Sequence, residues 1–152
     1  MDIQSRIATP IGSVAGPSRW FPVDQGRIDA FADLTEDRQF IHVDSDRARQ
    51  TPFGGTIAHG FLTLSLLSAM LADCRLVFDG ETRVVNYGFN RVRFVAPVPS
   101  GARVRAIFAL AGVIPQGPGA VDTVHEVTVE IEGSEKPALV AEWITRGYFG
   151  EN

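Results

Sequence analysis

The sequence predicts a single α+β domain in which one apolar helix packs against an antiparallel β-sheet. Residues from about Gly60 to Cys74 are apolar on almost every side of a helix, which is typical of an element surrounded by protein. The segments after this helix alternate between apolar and polar residues, as half-buried strands do. With 152 residues, the chain is long enough to form one domain with a substantial core.

The first part of the chain is interpreted as an arm followed by the domain. Residues 1–19 show no clear period and are assigned to an N-terminal arm, whereas residues 20–150 are assigned to the domain. Residues 20–23 are expected to form a short edge strand, because Pro22 removes one backbone donor from any ladder.

Two helices are predicted before the apolar one. Asp24 has the position of an N-cap, and apolar residues at helical spacing follow it to about Thr35. Asp44 or Ser45 is expected to cap a short second helix that runs through Ala48.

Strands follow the apolar helix. Their patterns lie at residues 83–89, 92–96, 104–110, 127–131 and 139–143. Gly88, between the first two patterns, is interpreted as a bulge. Residues 112–119 contain two prolines and three glycines and are predicted to be a loop.

Composition excludes several classes of protein. The net charge is −4 and no run of Lys or Arg occurs, so neither a nucleic-acid partner nor an anionic membrane is expected. The apolar run at residues 61–72 is shorter than the roughly 20 residues that span a bilayer. One cysteine and an N-terminus without an apolar leader favour a cytoplasmic protein.

Asp37, His42 and Gly60 are the candidate site residues. A carboxylate and an imidazole five positions apart can exchange protons, and a glycine that begins a helix offers a free backbone N–H. Together they fit chemistry on a carbonyl compound. Asp37 and His42 can equally serve as loop caps or bridges. Both lie in a polar segment, so their replacement is expected to spare the fold.

Three segments resemble the MaoC-like dehydratase family, which includes the (R)-specific enoyl-CoA hydratases and a NodN-like subset. They are Asp37-x4-His42, the Pro-Phe-Gly-Gly-Thr-Ile-Ala-His-Gly of residues 52–60, and Phe94-x2-Pro97-Val98-x2-Gly101-x2-Val104. The likeness covers about residues 20–148. It implies a hot-dog fold, in which an antiparallel sheet wraps a long central helix. Such domains are usually dimers whose sheets join edge to edge, and because the apolar helix and the sheet edge need more cover than one chain gives, a homodimer is expected.

The resemblance also implies a site and a reaction. Asp37 and His42 would be the catalytic pair, the N–H of Gly60 would bind the oxyanion, and Ser68 would contact substrate. Residues 39–40 are Gln-Phe, as in the NodN-like subset, where many hydratases have Asn-Pro. The implied reaction is hydration of trans-2-enoyl-CoA to (R)-3-hydroxyacyl-CoA, or the reverse dehydration, with acyl carrier protein as an alternative carrier. No cofactor is expected.

Two other functions remain open at this level. One is a hot-dog acyl-CoA thioesterase, and the other is a non-catalytic subunit that binds an acyl thioester. His59 is interpreted as a structural residue near the helix start. His125 shares a strand face with valines and is expected to be a core histidine with satisfied nitrogens. The three histidines lack the spacing of metal ligands, so no metal is expected.

Overall fold

A computed structural model describes Ile7 and residues 9–74 and 78–150. It confirms the α+β class: an antiparallel six-stranded sheet packs against helices. The described helices are α1 (Gln25–Thr35), α2 (Phe40–Val43), α3 (Ser45–Ala48), α4 (Gly60–Ser65) and α5 (Leu67–Asp73). The strands are β1 (Val14–Ala15), β2 (Phe21–Val23), β3 (Glu81–Phe94), β4 (Ala102–Pro115), β5 (Ala120–Ile131) and β6 (Leu139–Phe149).

The sheet order is β1-β4-β5-β6-β3, and β2 pairs with β4 beside β1. β3 pairs with β6 and is the outermost strand on its side. The N-terminal arm therefore adds two residues to the sheet through β1, next to the predicted edge strand β2. No helix within the described ranges is long and apolar enough to cross a membrane.

The helix ends follow the predicted caps. The Asp24 side chain accepts a hydrogen bond from the N–H of Arg27 at 2.8 Å, and α1 ends at Thr35. The Asp44 side chain accepts from the N–H of Arg47 at 3.0 Å and caps α3. These short polar side chains satisfy N–H groups that have no partner inside the helix, which stabilises each first turn.

The core lies between the helices and the inner face of the sheet. Alternate residues of three strands point inward and are buried there, namely Val104, Ala106, Phe108, Val127, Val129, Leu139, Ala141 and Trp143. The helices contribute Ile28, Leu62, Leu67 and Met70 to the same cluster. The alternation of apolar and polar residues in the sequence therefore predicts correctly which strand residues point into the core.

The predicted long helix is divided into α4 and α5 at Leu66. The N–H of Leu66 is shared between the carbonyls of Leu62 and Thr63, both at 3.3 Å, so the regular ladder is disturbed at this turn. Ser65 Oγ also donates to the Leu62 carbonyl at 2.7 Å. The helix is not enclosed on all sides by this chain, because Phe61 is 68% exposed.

Two strand predictions need correction. The segments at 83–89 and 92–96 belong to one strand, β3, in which register shifts near Gly88 and Arg91 absorb the irregular pattern. Residues 112–115 are strand rather than loop, since β4 continues to Pro115. A register shift before Gly112 lets the strand pass the glycine and stay paired with β5.

Candidate active site

The His42 ring is buried and is anchored by a hydrogen bond to the backbone. It lies on α2, is 6% exposed, and its Nδ1 is 2.7 Å from the carbonyl oxygen of Ile57. Because a carbonyl oxygen only accepts, Nδ1 carries the hydrogen and donates it. The neutral ring therefore leaves Nε2 as its basic atom. The burial of His42 argues against the expectation, drawn from its polar segment, that its replacement would spare the fold.

Gln25, on α1, fixes the backbone around this ring. Its Nε2 donates to the His42 carbonyl at 2.7 Å, and its Oε1 accepts from Thr56 Oγ1 at 2.7 Å. One amide thus connects α2 to the segment that leads into α4. The sequence pattern gave no sign of this role, because Gln25 appears only as a polar residue in the first turn of a helix.

Asp37 follows a sharp turn at the end of α1. Glu36 caps that helix with a left-handed φ of 64°, an uncommon conformation for a residue other than glycine. Asp37 itself is exposed, and its backbone carbonyl accepts a hydrogen bond from His59 Nε2 at 2.8 Å. Its side chain is brought towards His42 although the two residues belong to different elements.

Asp37, His42 and His59 form one cluster. A side-chain oxygen or nitrogen from each residue lies within 4.8 Å of such an atom from the other two. The rings of His42 and His59 are stacked, with centroids 3.8 Å apart and planes inclined by 25°. A single water can bridge polar atoms at such separations, since each hydrogen bond spans about 2.8 Å.

The cluster does not have the geometry of a metal site. Zinc binds imidazole nitrogens at about 2.0–2.1 Å along lone pairs that lie in the ring planes. In two stacked and nearly parallel rings, these lone pairs do not converge on one point. One nitrogen of each ring also donates to a backbone carbonyl.

Gly60 begins α4 beside the same place. Its N–H has no acceptor among the described residues, as expected for the first position of a helix. A Cβ built on Gly60 would lie 2.9 Å from Phe94 Cδ1, so the ring of Phe94 rests on this residue. A side chain at this position would therefore have to displace the Phe94 ring, which is half exposed.

His42 and Gly60 line one cavity of about 250 Å³. Its other walls are mostly apolar and come from Phe53, Ile57, Ala58, Thr63, Phe94, Val95, Ala96, Pro97, Val98 and Ala138. An apolar cleft with a few convergent polar groups is the usual form of a small-molecule site. Thr63, whose buried Oγ1 has no partner among the described residues, is a wall residue that the sequence analysis did not select.

The electrostatics of the cavity keep His42 neutral. Burial lowers the pKa of His42 below its ordinary value of 6.5, and the nearby His59 lowers it further. The bond to the Ile57 carbonyl and the charge of Asp37 act in the opposite direction, but burial is the largest effect. At neutral pH the ring is therefore a base whose free Nε2 can accept a proton.

Ser68 lies outside this cavity. It is exposed and lines two other cavities, of about 270 and 400 Å³, together with Asn86 and Trp143. The structure thus brings the Asp37 side chain within 4.8 Å of His42 and places His42 and Gly60 on one cavity, whose lining includes neither Asp37 nor Ser68. Of the four residues that the resemblance indicated, His42 therefore links the other two, since it neighbours Asp37 and shares a cavity with Gly60, while Ser68 lies elsewhere in this chain.

Comparison with known proteins identifies the family and the fold of the chain. The model of the MaoC like domain matches residues 6–133. The chain is 51% identical to nodulation protein N from Rhizobium leguminosarum bv. viciae, over 99% of this chain and 92% of that protein. It is 49% identical to 3-hydroxyacyl-thioester dehydratase Z from Mycobacterium tuberculosis, over 92% of each. The solved structure of an Archaeoglobus protein, described as a monoamine oxidase regulatory protein, superposes with a TM-score of 0.81. That similarity covers 95% of this chain and 94% of the other at 24% identity.

The fold is a hot-dog domain, in which the antiparallel sheet wraps around the α4–α5 helix. Proteins of this class are acyl-thioester hydratases and dehydratases. The chain belongs to the MaoC-like dehydratase family. It is accordingly a lyase of the hydratase or dehydratase type.

Proposed function

We propose that the protein adds water to trans-2-enoyl-CoA to give (R)-3-hydroxyacyl-CoA, and catalyses the reverse dehydration. The observation that carries the proposal is the proximity of the Asp37 and His42 side chains, together with the cavity that His42 shares with Gly60, the first residue of α4. Hydration of a 2-enoyl thioester needs these three functions, namely a base, a proton donor and an oxyanion site. The (R) configuration is taken from the family resemblance.

The Asp37 carboxylate and His42 Nε2 hold the reacting water between them. As the water oxygen bonds to C3 of the enoyl chain, one of the two groups takes a proton from the water. A proton is returned to C2, so that H–OH is added across the double bond overall. Each positioned proton-transfer group typically accelerates such a step by about 10²–10⁴-fold.

Gly60 supplies the third function. During the reaction negative charge grows on the thioester oxygen, and a fixed N–H directed at that oxygen stabilises the charge. The N–H of Gly60 is unpaired among the described residues, and Gly60 lines the cavity in which we place the substrate. Because α4 has only six residues, we assign the effect to the hydrogen bond rather than to a helix dipole.

The assembly we propose is a homodimer in which β3 of one copy meets β3 of the other. β3 is a 14-residue strand at the edge of the sheet, and most of its residues are exposed. Its large exposed apolar side chains are Val84, Val85, Tyr87, Phe89 and Phe94. A long, apolar, unpaired edge strand is a template for pairing with another chain.

Crotonyl-CoA distinguishes the proposed hydration from its alternatives. We expect loss of the enoyl absorbance without release of free thiol, and a product that an (R)-specific but not an (S)-specific 3-hydroxyacyl-CoA dehydrogenase oxidises. Release of thiol would indicate a thioesterase. Binding without turnover would indicate a non-catalytic subunit, and either result would overturn the proposal.

A further inference from the structure

His59 contacts each of the three residues to which the proposed reaction assigns a role. Its Nε2 donates to the Asp37 carbonyl at 2.8 Å, and its ring stacks on His42 at 3.8 Å. Its peptide bond supplies the N–H of Gly60. Its own carbonyl accepts from Leu62 and Thr63 at 3.1 and 3.3 Å, which closes the first turn of α4.

Filling space in the core does not explain why a histidine, rather than an apolar residue, occupies position 59. The residue is 2% exposed, and Phe31 packs against it with ring centroids 5.0 Å apart. Because Nε2 donates to a carbonyl, Nδ1 is the unprotonated nitrogen of the neutral ring, and it is buried without a partner among the described residues. A buried polar atom without a partner destabilises the folded state. An apolar ring would fill this volume without that cost.

We infer that His59 is a positioning residue, which ties the Asp37 backbone and the His42 ring to the start of α4. It acts through those groups and does not itself exchange a proton with substrate. The inference rests on the proposed function for the roles of the three residues that it positions. It assigns His59 a function in addition to the structural one that the sequence suggested.

The structure also gives His59 an electrostatic effect on His42. The ionisable groups whose charges act on His42 are Asp37, from the turn after α1, and His59, from the start of α4. The charge of Asp37 favours the protonated form of His42, whereas a proton on His59 disfavours a second proton on the ring stacked against it. Replacing the His59 ring by a side chain that cannot take a proton removes this repulsion, so the pKa of His42 should rise and the acidic limb of the pH–activity profile should move to higher pH.

Two variants separate the hydrogen bond from the stacked ring. His59→Gln keeps a donor at a similar distance along the side chain but loses the ring, whereas His59→Phe keeps the ring but loses the donor. With crotonyl-CoA, we expect the Phe variant to lose kcat by about 10- to 100-fold with little change in KM, as misplacement of catalytic groups does. The Gln variant should retain more of the wild-type kcat. A residue that only fills space would give the opposite order.

Titration of the His42 ring by NMR in wild type and both variants provides a readout that does not depend on turnover. We expect the His42 pKa to rise in both. If wild type does not hydrate crotonyl-CoA, the proposed function fails, while this titration still tests the contact between the two rings. An unchanged His42 titration in both variants, or a Phe variant as active as wild type, overturns the inference. If the Phe variant does not fold, the kcat and titration of the Gln variant decide the question.

Discussion

Among single residues, His42 shows most clearly how burial changes an expectation. Its position in a polar segment suggested that replacement would spare the fold, yet the ring is buried and satisfies the Ile57 carbonyl. Removing the ring leaves the buried Ile57 carbonyl without its donor, which lowers the free energy of unfolding by about 1–3 kcal/mol. Periodicity could not reveal this, because the partner lies fifteen residues away, in the loop before α4.

His42→Asn should therefore separate catalysis from stability better than His42→Ala. The Asn side-chain N–H₂ can occupy the place of Nδ1 and donate to Ile57, but no atom replaces Nε2. We expect both variants to lose hydration activity, and thermal unfolding to show a clear loss of stability for Ala only. Equal melting temperatures for the two variants would contradict the role given to the Ile57 bond.

Gly60 gives a second test at this scale. Gly60→Pro removes the proposed donor, and the His59 backbone, at φ −59° and ψ 137°, is compatible with a following proline. Either Pro or Ala at this position adds a Cβ that meets the Phe94 ring, so both changes belong in a Phe94→Ala background. There, Gly60→Pro should lower kcat by about 10²–10³-fold relative to Gly60→Ala. Equal turnover would exclude Gly60 as the oxyanion donor.

At the scale of elements, local patterns predicted the caps and the inward strand faces because both depend on neighbouring residues. Asp24 and Asp44 cap helices as their positions indicated. The break at Leu66 and the extension of β4 to Pro115 were not predicted, because the first depends on shared carbonyls and the second on pairing with β5. Asp37, His42 and Gly60 could be selected from the sequence, but the contacts of His59 and Gln25 required the fold.

His125, on β5, was expected to be a core histidine whose ring nitrogens have hydrogen-bond partners. The structure confirms that it is buried but not that its nitrogens are paired. It is 1% exposed, and neither ring nitrogen has a partner among the described residues. The ring of Phe108 on β4 meets it edge to face with centroids 6.4 Å apart, and its register partner on β6 is Trp143; neither offers an acceptor. Burial lowers its pKa from 6.5 to about 4.

This burial predicts a specific acid sensitivity of the sheet. Between pH 6.5 and about 4 the unfolded chain binds a proton at His125 that the folded chain does not, so stability falls as the pH is lowered through this window. Over this whole pH window the free energy of unfolding falls by an amount on the order of 3 kcal/mol. Urea unfolding at pH 7.5 and 4.5 should show a smaller loss for His125→Leu than for wild type. Equal losses would mean that His125 does not cause the sensitivity.

For the whole molecule, the open side of the helix and the exposed edge of the sheet indicate a partner. Phe61 on the helix and Tyr87 on β3 are 68% and 58% exposed. We expect light scattering at micromolar concentration to give the mass of two chains, and Val85→Asp to shift it towards one chain. Ile114→Asp, at an exposed apolar residue of β4, is the matched control and should leave the mass unchanged. A monomeric wild type would contradict the proposed homodimer.

The lowered pKa of His42 predicts the pH at which activity should decline on the acidic side of the pH profile. Burial lowers the pKa of His42, so the ring stays neutral to a pH below 6.5. If neutral His42 is the form required in the free enzyme, kcat/KM for crotonyl-CoA should decline only below that pH. A decline centred above pH 6.5 would contradict a buried, neutral His42 as the limiting group.

The most direct test of the account is the turnover of Asp37→Asn, His42→Asn and the double variant with crotonyl-CoA. Asp37 and His42 are proposed to act on one water, so the loss of either should remove the function of the pair. We expect each single variant to lose at least about 10²-fold in kcat, and the double variant to be little worse than either. Near wild-type turnover in a folded single variant, or losses that multiply in the double variant, would contradict a shared water.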